Sequence, residues 1–210
     1  MTINCKGELL SLHTPRVMGI LNHTPDSFYA GSRVTENNAL ARAEEMLLQG
    51  ADFIDVGGYS TRPNAAEVSE EEELKRVVPL VRSLVQHFPQ VRISVDTFRA
   101  EVAKQALSEG AAIVNDISAG LLDEQMLPLV AQWQVPYIAM HMVGTPQTKQ
   151  QHTSYKNIIT DMLYYFSERK AKALQWGIND FIVDVGFGFS KTLEQNYQVL
   201  KQLEIFHSLE

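Results

Sequence analysis

The sequence predicts an α/β fold of the TIM-barrel, (β/α)8, type, with about six βα units present in this chain and a β-hairpin ahead of the first. Three observations predict it. Short apolar runs suited to buried strands alternate with helical patterns six times. The connections between them are short, as parallel strands joined by right-handed crossovers require. A polar residue also stands at the carboxyl end of each expected strand: Asn22, Asp55, Asp96, Asn115, His141 and Asp184. An open doubly wound sheet gathers its functional loops at one switch point, whereas every strand of a barrel contributes to the same mouth, so the third observation favours the barrel.

Residues 3–13 read as a hairpin around Lys6-Gly7-Glu8. Val17, Met18, Ile20 and Leu21 then form an apolar run suited to a strand buried on both faces, with Asn22 at its end. Thr24-Pro25-Asp26-Ser27 supplies turn residues, followed by two aromatics, Phe28 and Tyr29. A helix is expected over 36–50, with Ala39, Leu40, Ala43, Met46 and Leu47 at helical spacing and Gly50 as its stop. The second strand, 53–56, leads into a turn-rich loop, 55–64. Ser69 opens the next helix with Glu72 completing a capping box, and the acidic run 70–73 reads as a solvated first turn. Further strands are expected at 92–95, 112–114, 137–140 and 181–183, and helices at 99–109, 124–133, 155–176 and 193–206.

A chain of 210 residues, 45% hydrophobic and 20% charged, holds enough apolar material for one core, and a single domain over 1–210 is expected. Cys5 is the only cysteine, which excludes an internal disulfide and a Cys-rich zinc site and suits a reducing compartment. No apolar run approaches the length of a bilayer span, so a soluble, cytoplasmic protein without membrane partners is expected. The net charge of −7 argues against nucleic acid as a partner.

No G-x-G-x-x-G follows the first strand and there is no Walker A sequence, which removes the dinucleotide and P-loop readings. The pair Gly186 and Gly188 reads as a tight strand-to-helix turn. Two carboxylates and an amide at one mouth, without a Cys/His cluster, suit a flat heterocycle with a guanidine-like edge better than a metal. Met140 and Phe189 could supply apolar surfaces against such a ring. Asp96, Asp116 and Asp184 could each instead cap the helix or turn that follows. His141, flanked by methionines, reads as a satisfied, partly buried residue rather than a catalytic one.

Six motifs carry a resemblance: MGILNHTPDSF (18–28), DVGGYSTRP (55–63), SVDTF (94–98), VNDIS (114–118), MHM (140–142) and DVGFGFSK (184–191). In this order, at strand-to-helix junctions, they are similar to those of the dihydropteroate synthases. That family of TIM barrels joins a dihydropterin methyl diphosphate to p-aminobenzoate, a transferase step of folate biosynthesis that releases diphosphate and that sulfonamides block by imitating p-aminobenzoate. The resemblance implies that Asp96, Asn115 and Asp184 hold the pterin edge as the catalytic set, with Ile117, Met140 and Phe189 around the ring. It places Asn22 near the diphosphate and a Mg2+ ion, and assigns Phe28 to the first closing loop and Thr61, Arg62 and Pro63 to the second. The implied chemistry passes through a resonance-stabilised pterin cation, with Asp96 and Asp184 as anionic support and no covalent enzyme intermediate. A homodimer is the expected assembly.

The chain departs from the family pattern at Tyr29-Ala30-Gly31, at Tyr59 where Glu is common, at Asn64 where Gly is common and at Val185 where Pro is usual. The family's seventh-strand Ser-Arg-Lys and eighth-strand Arg-x-His segments do not occur in these 210 residues. A six-strand arc would leave two parallel edges unpaired, and activity of this chain alone is not expected to match the family's. Two alternatives stand beside the synthase: a pterin-binding module without transferase activity, like the barrels that present methyltetrahydrofolate, and a non-catalytic fragment.

Overall fold

A computed structural model describes residues 2–22, 36–59, 67–148 and 152–209. Strands β1 (Thr2–Cys5) and β2 (Glu8–Ser11) form the expected antiparallel hairpin. Its turn residues Lys6 and Gly7 both take positive φ, 54° and 81°, the conformation that a two-residue hairpin turn matched to strand twist requires. Ile3 and Cys5 on one face of the hairpin are buried against Phe53 and Ile113, with Met18, Ile138 and Ile182 packed alongside. Met18, Phe53 and Ile113 each begin a strand of the main sheet, so the hairpin plugs the amino ends of that sheet and leaves the carboxyl ends free.

That sheet has six parallel strands in chain order: β3 (Met18–Asn22), β4 (Phe53–Gly57), β5 (Ile93–Asp96), β6 (Ile113–Asp116), β7 (Tyr137–Met140) and β8 (Phe181–Asp184). Helices α1 (Glu36–Leu48), α2 (Glu70–His87), α3 (Ala100–Ser108), α4 (Met126–Trp133) and α5 (Ile158–Gln175) provide the five crossovers, and α6 (Leu193–Lys201) follows β8. Ile54, Val56, Val95, Val114 and Ala139 pack outward onto the apolar stripes of α1 to α4, forming the main core. A second cluster joins Met162 and Phe166 of α5, Val199 of α6 and Phe206.

Three expectations need correction. Val17 and Ile20 are 59% and 63% exposed, not buried on both faces, because among the described residues β3 pairs only with β4 and is an edge of the sheet. Glu73 is not part of a solvated turn: it is 0% exposed. Its position lies on the same helical face as Val77, Leu80, Val81 and Leu84, so the turn that begins in solvent ends inside. Ser69 does accept from Glu72 N at 3.2 Å, while the Glu72 carboxylate pairs with Arg76 at 2.8 Å. The last helix is also shorter than expected: α6 ends at Lys201, and Leu203–Leu209 is a 3-10 segment that folds Phe206 against Phe166.

Candidate functional site

The carboxyl ends of the strands bring the expected polar residues to one rim. Asn22 ends β3, Asp96 ends β5, and Gly57 ends β4 between them. A Cβ at Gly57 would meet Asn22 Oδ1 at 3.0 Å and Asp96 Oδ2 at 3.2 Å, so glycine leaves the space into which these two acceptors converge. Asp55 does not stand at a strand end as expected: it is the third residue of the five in β4, one layer below the rim, because the strand runs on to Gly57. There it accepts from Asn115 Nδ2 at 3.1 Å.

The carboxylates share an environment that resists charge. Burial pushes Asp96 well above the usual carboxylate range, and the charges of Asp55, Glu73, Asp116 and Asp184 push in the same direction. Burial raises Asp55 to about 6, with Ser94 and Asn115 opposing the rise. Asp184 is raised by burial as well, tempered by Gly186 N, which donates to Oδ1 at 2.8 Å, and by the charge of Lys191. An acidic pocket of this kind favours a guest that brings N–H donors or positive charge.

An apolar shelf adjoins them. Ile117, Met140 and Met142 form one buried cluster with Phe98 and Phe189 packed against it, so three residues expected around a ring do come together. The turn after β8 holds Phe189 in place. Gly186 has φ +64°, and a side chain there would collide with the His141 carbonyl oxygen, which confirms the expected glycine turn. Buried Lys191 closes this turn from inside, donating to Gly186 O and Phe189 O at 3.0 Å each, with His141 Nδ1 at 3.1 Å. Burial brings Lys191 down to about 8, against the pull of Asp184. His141 is driven down to about 3 by burial and by Lys191, so it is a neutral acceptor, as its structural reading required.

Asp116 is a structural residue. It accepts from Ser118 N, Ser118 Oγ, Gly120 N and Tyr137 Oη, all at 2.7 Å, and thereby fixes the loop after β6. Asp96 and Asp184 cap no helix either, although Asp184 holds the turn after β8 by accepting from Gly186 N: at the start of α3 Ala100 N–H donates to Asp123 at 2.7 Å, and α6 is capped by Thr192.

A second cluster supports the rim from outside. Buried Glu73 accepts from Thr97 Oγ1 at 2.7 Å and pairs with Arg99, which also donates to Val68 O at 2.7 Å. The Arg99 guanidinium lies 5.0 Å from the Phe98 ring centre and 5.4 Å from that of Tyr59. Tyr59, the departure from the family's common Glu, is buried edge-on against Phe98 and hydrogen-bonds Gln147. It thus ties the loop after β4 to the loop after β7.

Phe28, Thr61, Arg62 and Pro63 lie outside the described residues. Sequence reasoning assigned no role to Glu73, Arg99 or Lys191; the helical spacing of Glu73 with Val77 and Leu80 was the available signal. Among the described residues no group of three His, Cys, Asp or Glu could hold a metal ion. Asn22 Oδ1 at the rim is a hard oxygen of the type that Mg2+ accepts, and it suits an ion whose other ligands are phosphate oxygens and water. Among the described residues, no helix is long and apolar enough to cross a membrane.

Comparison with known proteins identifies the relatives of this chain. The family profile described as pterin binding enzyme matches residues 18–210. The folic acid synthesis protein of Schizosaccharomyces pombe is 46% identical over 189 residues, covering 89% of this chain and 26% of its own length. The dihydropteroate synthase of Escherichia coli K12 is 44% identical over 212 residues, covering 99% of this chain and 74% of its own length. Among solved structures, the Yersinia pestis dihydropteroate synthase with a sulfonamide drug complex superposes with a TM-score of 0.93 at 43% identity, covering 100% of this chain and 76% of that one. The Xanthomonas albilineans dihydropteroate synthase with 4-aminobenzoic acid gives a TM-score of 0.90 at 38% identity, covering 99% and 74%. The six parallel strands and the hairpin are therefore part of that barrel fold, and the chain spans only part of the length of these relatives.

Proposed function

The chain belongs to the dihydropteroate synthase family of pterin-binding enzymes, and on that premise we propose that it binds 6-hydroxymethyl-7,8-dihydropterin diphosphate for condensation with p-aminobenzoate. The observation that carries this reading is the meeting of raised carboxylates and one amide, at Asp96, Asp184 and Asn115, with the shelf of Ile117, Met140 and Phe189. A pterin offers a flat face for the shelf and a guanidine-like edge of N–H donors for the acceptors. Donors from the ring would stabilise the ionised carboxylates and draw their pKa values back down.

In the reaction, the bond between the pterin methylene and the diphosphate oxygen breaks with its electron pair leaving on diphosphate. The amine nitrogen of p-aminobenzoate then bonds to the methylene and gives up a proton to the departing diphosphate or to water. Asp96 and Asp184, once ionised, stabilise the positive charge that develops on the pterin, while Phe189 and Met140 exclude water from the ring. Asn22 would hold Mg2+ together with the diphosphate, and the ion when bound neutralises the leaving group's charge. Phe28, Thr61, Arg62 and Pro63 are proposed to close over p-aminobenzoate. A cytoplasmic homodimer of single-domain subunits completes the reading.

Calorimetric titration with a non-reactive analogue of the pterin diphosphate and Mg2+, followed by an assay for dihydropteroate formation, tests the proposal. Saturable binding is expected. Asp184→Asn should weaken it roughly 30- to 100-fold, since it removes a charge-assisted pair of hydrogen bonds. A folded chain whose affinity is unchanged by Asp184→Asn would refute the assignment of the ring edge.

A further inference from the structure

Inside the sheet, at the rim and one layer below it, three polar atoms are buried with no hydrogen-bond partner of proper geometry among the described residues: Asn115 Oδ1 at the rim, and Asp55 Oδ1 and Ser94 Oγ below it. Within this group Asn115 Nδ2 donates to Asp55 Oδ2 at 3.1 Å, and the neighbouring Ser94 hydroxyl also favours the ionised Asp55 carboxylate. Asp55 is only 5% exposed and is fixed in the middle of β4, where its register neighbours are Ile20 and Ser94. Asn115 is in register with Asp96 at the rim.

An amide can face a neighbour with either its N–H2 or its carbonyl oxygen. Facing a carboxylate oxygen, the reversed orientation would set two acceptors against each other inside the protein, where that repulsion is least screened. Asn115 Oδ1 is therefore turned away from Asp55. We infer that Asp55 is a positioning residue for the heterocycle site: its carboxylate locks the Asn115 amide so that the site offers acceptors only, selecting a ring edge made of donors. The inference rests on the pterin reading above and deepens it by naming what enforces ring specificity. Two outer groups, Asp96 and Asp184, are acceptors whichever way they turn once the bound ring's donors hold them ionised. Asn115 is the one member of the expected set whose pattern can invert, and Asp55 removes that freedom.

The test compares the wild-type chain, Asp55→Asn and Asp55→Ala in two readouts. The first is calorimetric affinity for 6-hydroxymethylpterin and for its 2-oxo counterpart, a lumazine, whose edge replaces the amino donor with an acceptor. Wild type should prefer the pterin, and Asp55→Ala should cut that preference about tenfold. Asp55→Asn, whose amide can meet either face of the Asn115 amide, should lose an intermediate share of it. The second readout is the NMR signal of the Asn115 side-chain amide, identified by its loss in Asn115→Asp. It should shift and exchange faster with water in Asp55→Ala, and to a smaller degree in Asp55→Asn. A folded Asp55→Ala chain with unchanged ring preference and an unchanged amide signal would overturn the inference. If wild type binds neither ring while the amide signal still depends on Asp55, the ligand reading fails and the locking role of Asp55 stands.

Discussion

Buried ionisable residues set the acid-base behaviour of this protein, and they pull in opposite directions. Asp55 is held near 6, above its ordinary value of 3.8, so the folded chain keeps a proton that the unfolded chain has lost. Its contribution to stability is full below about pH 4 and disappears as pH rises through about 6. Glu73, Asp96, Asp116 and Asp184 are raised too and act with the same sign. His141 does the reverse: held near 3 against 6.5 when free, it stabilises the fold above pH 6.5 and destabilises it progressively as pH falls toward 3. The balance between these groups is read between pH 7 and pH 4.5. Asp55→Asn, with one of the opposing groups removed, should lose roughly 2 kcal/mol more than wild type over that interval, from 1.5 pKa units at 1.36 kcal/mol each. Urea midpoints at the two pH values decide it, and parallel losses in both proteins would mean that Asp55 titrates as an ordinary carboxylate.

At the scale of elements, the site is held by contacts between successive βα units. Glu73 from the first turn of α2 reaches Thr97 and Arg99, which join β5 to α3, and Arg99 returns to Val68 ahead of α2. Replacing Glu73 with alanine strands the Arg99 guanidinium, 16% exposed, beside two aromatic rings without its carboxylate. The expected cost is about 3 kcal/mol in urea unfolding, at the lower end for a broken buried pair because Arg99 retains some contact with water. Gln at the same position can still accept from Thr97 and should restore part of the loss. A loss in Glu73→Ala no larger than that of an exposed pair such as Lys75 with Glu71 would show that the cluster is only peripheral.

For the molecule as a whole, the hairpin closes one end of the sheet, while among the described residues β3 and β8 each lack a neighbour on one side. Unpaired parallel edges with Val17 and Ile20 open to solvent invite pairing with another chain. The 210-residue chain is expected to self-associate with rising concentration, and Ile20→Lys should reduce this without lowering the melting temperature, because the side chain it replaces is already 63% exposed. Sedimentation velocity across a concentration series measures it. A wild-type chain that remains monomeric throughout would show that the exposed edge does not drive association.

The alternation of apolar runs and helical patterns determined the six parallel strands, the hairpin and the end of the sheet at which the polar residues gather, because strand and helix periodicities are local. The glycine turn at Gly186 and the apolar surfaces of Met140 and Phe189 were legible for the same reason, each lying on a strand end or the turn after it, whereas Ile117 joined them only through the family resemblance. The interior of Glu73, the exposure of Ile20 and the layer occupied by Asp55 were not. Each depends on what a neighbouring element places opposite the residue: Thr97 and Arg99 against Glu73, an open edge beside Ile20, and Asn115 against Asp55. Charge burial follows the same division, since a sequence shows that Lys191 and His141 are ionisable but only packing sets them 3.1 Å apart, away from water. Thus the sequence by itself determined the family, the order of the elements and the residue types at the rim; the tertiary structure alone decided which carboxylates are enclosed, because desolvation is a property of surroundings that the chain assembles from distant segments.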